Sequence, residues 1–321
     1  MNVVTKTIAR LDAFQRRRKF LGFPLAVLKK YGEDEAGHQA ALLAYYGFLA
    51  IFPLLLALTS ILKLVVRGNN HMRQSIVQSV TDYMPIVGSD LQQNVHGLGA
   101  TGVALVIGTV LTVFGARGVA DALRSGINHV WQIPYMRRTG FPHNILKSLL
   151  SMVVFGVGLV LAPLISGYAI SVGGHGLPIR LLTLLITSAI LFGVFLTLVR
   201  IALPMRVRSR ELWPAAALAT VGLMILQLVG SYVLTHQLKH LSSLYGTFAI
   251  VLGLLYWLYL QSQVFFYALE TASVRALQLW PRALDQSSLT AADRRAFRLY
   301  ALRNRFHASE EITVTTKKTI S

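Results

Sequence analysis

One carboxylate in this 321-residue chain stands where a charge is hardest to keep, and nothing beside it in sequence can neutralise it. Glu270 closes the apolar run 264–269, and no basic residue lies nearer along the chain than Arg275. An ionisable group at the edge of such a run is costly unless it is paired, faces water or is neutral. Partners are offered by a distant stretch. Arg117, Asp121, Arg124 and Asn128 follow at steps of four, three and four, which sets them along one helical face where opposite charges pair. The sequence predicts that Glu270 meets this face. Such a contact either clasps two helix ends together or takes part in the passage of a proton or an anionic substrate. Gln261, with Gln227 and Gln263, adds amide groups to apolar surroundings, as part of a path or as bonds between helices.

Other chemistry is sparsely provided for. His236 and His240 have ligand-like spacing, but a zinc site needs further ligands and a second shell, and no acid lies near them in sequence. No metal site is expected. Phosphate-binding loops, the dinucleotide fingerprint, the nucleophile elbow and the H-E-x-x-H zinc motif are all missing from the sequence. The expectation is a protein that is no enzyme, with no catalytic residues and no cofactor. With 0 cysteines it has neither disulfides nor thiol chemistry.

The elements that must position these side chains are six apolar stretches, at 41–66, 98–118, 149–172, 181–199, 212–235 and 244–269. A helix rising ~1.5 Å per residue needs ~20 apolar residues to cross ~30 Å of hydrocarbon. All six are long enough. Lys and Arg number 8 in residues 1–40, 5 in 117–147, 4 in 200–211 and 9 in 271–321, against 2, 1 and 1 in the three intervening connections. Basic residues near spans are retained on the cytoplasmic side. The sequence therefore predicts an all-α polytopic membrane protein with six transmembrane helices and both termini cytoplasmic.

The net charge of +18 sits mostly in those cytoplasmic segments, where a basic rim facing anionic headgroups accounts for it without nucleic acid. A mean hydropathy of +0.55 with 14% charged residues leaves no room for a separate soluble domain. Three parts are expected: a basic interfacial leader at 1–40, the transmembrane domain at 41–272, and a basic cytoplasmic helix and tail at 273–321. In the leader, Phe14, Phe20, Phe23, Leu25, Leu28 and Tyr31 alternate with Arg16 to Lys19, Lys29 and Lys30, as in an interfacial helix whose basic groups reach phosphates. Arg17-Arg18 superficially resembles a twin-arginine export signal, but the apolar run after it is too short.

Further features follow from spacing. Ile76, Val77, Val80, Tyr83 and Met84 suggest a short outer helix ended by Pro85, and Pro53 should kink the first span. Lys63 reads as an outer anchor. The second span should continue to about Trp131 before Ile133-Pro134 breaks it, and the last to about Trp280-Pro281, with Thr290 capping a final helix.

Three stretches give the chain a resemblance to a known family. They are Asp34-Glu35-Ala36-Gly37 through Ala44-Tyr45-Tyr46 to Phe52-Pro53; Ala122-Leu123 through Asn128 to Trp131; and Tyr245-Gly246-Thr247-Phe248 through Trp257 to Glu270. With Tyr83-Met84-Pro85 in the outer loop, they resemble the YihY/BrkB family of bacterial inner-membrane proteins, once labelled ribonuclease BN. One departure is Ala268-Leu269, where the family often has Gly-Ala. The resemblance implies a six-helix protein of the bacterial inner (plasma) membrane with a proposed link to envelope lipid transport, and it implies that the ribonuclease label was misassigned.

Two functions fit this reading. One is a transporter or flippase-like protein for a lipid or other amphipathic anion, its headgroup drawn by the basic rim and the Arg117 and Arg124 face. The other is a non-catalytic scaffold for an envelope-assembly partner; a ribonuclease is a distant third, disfavoured because the cytoplasmic segments show no cluster of metal ligands or acid/base pair. Expected partners are membrane lipids, especially anionic headgroups, and not nucleic acid.

Overall fold

The computed structural model describes residues 12–16, 18–65, 102–138, 140, 142–171, 177–205, 207–236, 238–284 and 289–315. Among them are helices and short turns, and no strand. The elements are α1 (Lys19–Glu33), α2 (Ala36–Val65), α3 (Gly102–Val130), a 3-10 turn (Tyr135–Arg137), α4 (His143–Ser171), α5 (Leu177–Ala202), α6 (Ser209–His236), α7 (Leu238–Ala276) and α8 (Ala291–Arg303). The expected outer helix from Ile76 to Met84 lies outside the described residues, as do the side chains of Lys63, His236 and His240. Helix α2 runs on through Pro53, whose own geometry is likewise outside them.

Apolar sequence forms helices here because a helix satisfies its own backbone groups where water cannot. Three stretches among the described residues are long and apolar enough to cross a membrane: Leu177–Ala202, Ser209–Gly230 and Val251–Ala276, with mean hydropathies of 2.5, 1.9 and 1.2. Only 22–28% of an apolar 18-residue window in each is buried inside the protein, and Leu182, Leu185 and Leu228 point outward. Large contiguous apolar surface of this kind needs an apolar medium. The other long helices, α2, α3 and α4, have 30, 29 and 29 residues, and their apolar character rests partly on residues outside those described.

Helix α7 is the hub, packing against α6, α2, α1 and α3, while α2 lies along α3 and α4 along α5. The tightest core lies toward one end, where Ile127, Val130, Leu212, Phe266 and Leu269 are fully buried together. Helix α3 ends there as expected. Gln132 takes a left-handed φ of 53°, and Ile133 N–H bonds the Asn128 carbonyl at 2.9 Å, a Schellman closure with glutamine in place of glycine. Helix α7 ends in the same way at Gln278, φ 52°, so it stops at Ala276 and short of the Trp280-Pro281 that the sequence suggested. The residues 289–290 lead into α8 through the predicted Thr290 cap, completed as a capping box by Asp293.

One close approach depends on glycine. A Cβ on Gly126 would stand 2.5 Å from the Phe266 ring, which is fully buried and has no room to retreat. Overpacking of this kind costs about 1–3 kcal/mol. Gly126→Ala is therefore expected to lower the thermal midpoint of the detergent-purified protein, and adding Phe266→Leu should restore part of it.

Candidate functional site

The tight end of the bundle is organised by a charge the sequence did not single out. Lys30 is fully buried on the inner face of α1, beside Ala26 and Val27. Its Nζ donates to Asp34 Oδ2 at 2.5 Å, to Glu270 Oε2 at 2.8 Å and to the Val130 carbonyl at 2.7 Å. A lysine ammonium has three donors, and all three are used. The carbonyl it takes belongs to the last residue of α3, one of those a helix leaves without an internal partner. One nitrogen thus ties α1, the end of α3 and α7 together.

Neighbouring groups complete the arrangement. Gln132, set by its left-handed backbone, donates from Nε2 to Asp34 Oδ1 at 2.6 Å. Ser273 Oγ lies 3.3 Å from Glu270 Oε2. His129 Nε2 is 2.9 Å from both the Asp34 carbonyl oxygen and Arg303 Nη1, donating to the first or accepting from the second according to its tautomer, so the ring sits between the clasp and α8. Burial, then the Arg303 charge, push the imidazole below its ordinary range and hold it neutral near pH 7.

A second ion cluster fastens the C-terminal segment to α1. Arg282 donates from Nε to Asp293 Oδ1 at 2.6 Å and from Nη2 to Glu33 Oε2 at 2.7 Å, while Tyr300 bonds the same Glu33 oxygen at 2.7 Å. Lys29 reaches the Ala283 carbonyl at 2.6 Å and Asp293 at 3.3 Å. Burial alone would raise the Asp293 carboxyl, but hydrogen bonds from Thr290, Arg282 and the Ala283 N–H outweigh it and hold it well below the carboxylate range.

The structure corrects the expected partner of Glu270. Its carboxylate bonds Lys30 and Ser273, on the side of α7 that faces α1. Arg117 and Arg124 instead share Asp121, at 3.6 and 3.4 Å, and Asp121 also accepts from Ser148 Oγ at 2.5 Å. That charged face therefore turns toward α4. Asn128 is buried and donates to the Arg124 carbonyl at 2.9 Å within its own helix. Lys30, read as an interfacial charge reaching phosphates, is sealed inside. Its signal was available: Ala26, Val27, Lys30 and Asp34 share one helical face, and Lys30 and Asp34 are four apart.

Away from this clasp, among the long helices, is an apolar cavity of about 190 Å³. Leu43 and Gly47 of α2, Leu123 of α3, Phe155 of α4 and Leu223 of α6 form its wall. Its few polar groups are Thr220, Gln261 and Ser262. Gln261 is thus at a cavity, whereas Glu270 is sealed away from it. Among the described residues no three His, Asp or Glu side chains gather as metal ligands.

Helices with outward apolar faces, ion clusters gathered at one end and a cavity between spans define an all-helical membrane protein. A family model described as virulence factor BrkB matches residues 27–289, most of the chain, and the protein belongs to this YihY/BrkB family. No curated protein and no solved structure matches it. The three stretches that carried the resemblance meet at one point, since Asp34, the α3 end at Val130-Trp131 and Glu270 all surround Lys30.

Removing one partner of a buried charge cluster leaves the others uncompensated, at about 3–5 kcal/mol. Lys30→Met should lower unfolding free energy by about that amount, measured by tryptophan fluorescence in detergent. The Asp293 cluster has a definite pH sense. A carboxyl whose pKa is depressed by folding contributes stability above its unfolded pKa of ~3.9 and loses it as pH falls through the lower, folded value. Hydrogen exchange should find α8 protected at pH 7 and 5 and released only below about pH 4, with Asp293→Asn exposing it already at pH 7.

Proposed function

We infer that the protein crosses the bacterial inner membrane six times, with both termini in the cytoplasm, and moves a lipid or other amphipathic anion as a transporter or flippase-like protein. The observation that carries this reading is the cavity. It is walled by apolar residues from all six long helices and carries only Thr220, Gln261 and Ser262 as polar groups. A site with that lining, inside helices whose outer faces are also apolar, suits a hydrocarbon chain with a few hydrogen-bonding groups near its head. The distribution of basic residues supports the orientation, with the ion clusters on the cytoplasmic side. On this reading the protein is no enzyme, and Glu270 is a structural clasp outside the substrate path.

A scaffold for an envelope-assembly partner is the second reading. It draws on the sealed Glu270 and on α8, which is held by Arg282, Glu33 and Tyr300 while Arg294 and Arg298 remain exposed. A scaffold needs no cavity.

Gly47 separates the two. Gly47 lines the cavity, and a Cβ there would make only ordinary contact with Leu258, at 3.9 Å, so alanine fits without a clash. Replacing glycine in a helix also gains up to about 1 kcal/mol of helix propensity. In liposomes, the protein and Gly47→Ala are expected to carry labelled phospholipid headgroups across the bilayer. Gly47→Leu, which fills part of the cavity, should slow this about tenfold or more, a loss of about 1.4 kcal/mol or more, with the thermal midpoint measured beside it to separate blocked passage from misfolding. No movement of anionic or zwitterionic lipid by the parent protein would favour the scaffold.

A further inference from the structure

The charged face of α3 turns toward α4, where Asp121 accepts from the Ser148 hydroxyl. Lys147, the residue before Ser148, brings another cation within electrostatic reach of Arg124. Burial and then the facing Arg124 charge push that ammonium below its ordinary range. Lys147 has no ion-pair partner among the described residues. Two arginines therefore share a single carboxylate with an unpaired lysine close to one of them, and an excess of two positive charges is left in this region. The guanidinium of Arg117 is about half open, at 53% side-chain exposure, and that of Arg124 is mostly enclosed, at 15%.

The surroundings decide which anion belongs there. Immediately beyond the charges, Phe114 of α3 and Leu150 and Val153 of α4 are all exposed. The α3 residues run from apolar Val110 and Phe114 to Arg117 within two turns, and α4 runs the opposite way, from Lys147 to Val153. Both helices thus pass from charge to bare hydrocarbon in the same direction. A soluble anion would gain from the charges alone, whereas a lipid gains from both halves.

We propose that Arg117, Arg124, Lys147 and Ser148 form a binding site for the phosphate headgroup of an anionic phospholipid, with its acyl chains lying along Phe114, Leu150 and Val153. Arg117 and Lys147 supply charge to the phosphate from the open side, and Arg124 anchors Asp121 so that the carboxylate does not neutralise both. The proposal deepens the lipid reading and rests on its membrane placement, but not on translocation. It gives the anionic lipid a distinct place at the cytoplasmic edge of the α3–α4 pair, apart from the cavity.

The test is native mass spectrometry of the full chain in detergent, titrated with phosphatidylglycerol or with phosphatidylcholine. Each basic residue removed near a lipid phosphate should weaken phosphatidylglycerol binding about fivefold, and Arg117→Gln with Lys147→Gln about 30-fold. Asp121→Asn should tighten it about fivefold, a gain that a misfolded variant would not give. Arg208→Gln with Arg210→Gln, which removes the same charge from another cytoplasmic connection, should leave it unchanged. Equal loss in that control pair would mean diffuse attraction and overturn the site. Displacement of phosphatidylglycerol by millimolar inorganic phosphate would show a soluble-anion site and overturn the lipid. Binding is read without a bilayer, so a failure here leaves the translocation result to stand or fall separately.

Discussion

Lys30 has to lose its water before this bundle can close, and the structure is arranged around replacing that water. Desolvating an ammonium costs several kcal/mol even after relaxation. Acceptors at the end of α1, at the end of α3 and on α7 take its three N–H groups, and each would lose a buried partner without it. The consequence is geometric. Helix α1 is held at one rotation against α7, α3 must end at Val130 so that its carbonyl is free, and Gln132 must adopt a left-handed backbone to reach Asp34. A buried ion cluster is weak evidence of net stability, because apolar residues of similar volume often do as well. Here it fixes which surfaces of three helices meet.

The cluster also separates the protein into two regions with different physics. At the clasp end, polar and charged side chains are buried and bonded to one another, although Glu270 Oε1 and Gln132 Oε1 keep no partner among the described residues, and α8 is fastened over them through Arg282, Glu33 and Asp293. Among the spans, burial is sparse and the walls are apolar, with a cavity and few polar groups. A rigid base beneath a loosely filled upper bundle suits a protein whose upper helices separate to admit a ligand while their ends stay registered. Local opening is easiest where buried contacts are fewest. Glu270 belongs to the base and Gln261 to the cavity, although the two are nine residues apart on the same helix.

Much of this was legible in sequence. Length and apolarity fixed the helical class, and the α3 and α8 termini were readable from Pro134 and Thr290, because capping is local chemistry. Glu270 stood out because a carboxylate beside an apolar run demands an explanation. Its partner was misread for a physical reason: Lys30 lies in a leader crowded with basic residues, and sequence order does not say which one turns inward. Arg282 was missed for the same reason, among the cations after the last span. The Arg117, Asp121 and Arg124 face was found by its period, but a period gives the face and not its neighbour, and that neighbour is α4. The cavity left one sign in the sequence, the amide of Gln261, since the rest of its apolar wall reads like any other span.

The central claim, that Lys30 and Glu270 depend on each other across α1 and α7, is tested most directly by a double-mutant cycle. Unfolding free energies would be measured in detergent for the parent, Lys30→Met, Glu270→Leu and the pair together. The structure predicts strong coupling, with the double variant more stable than the sum of the single losses implies by about 1.5–3 kcal/mol, and Lys30→Met alone the worst of the set. Additivity within about 0.5 kcal/mol, as for sites that do not touch, would contradict it.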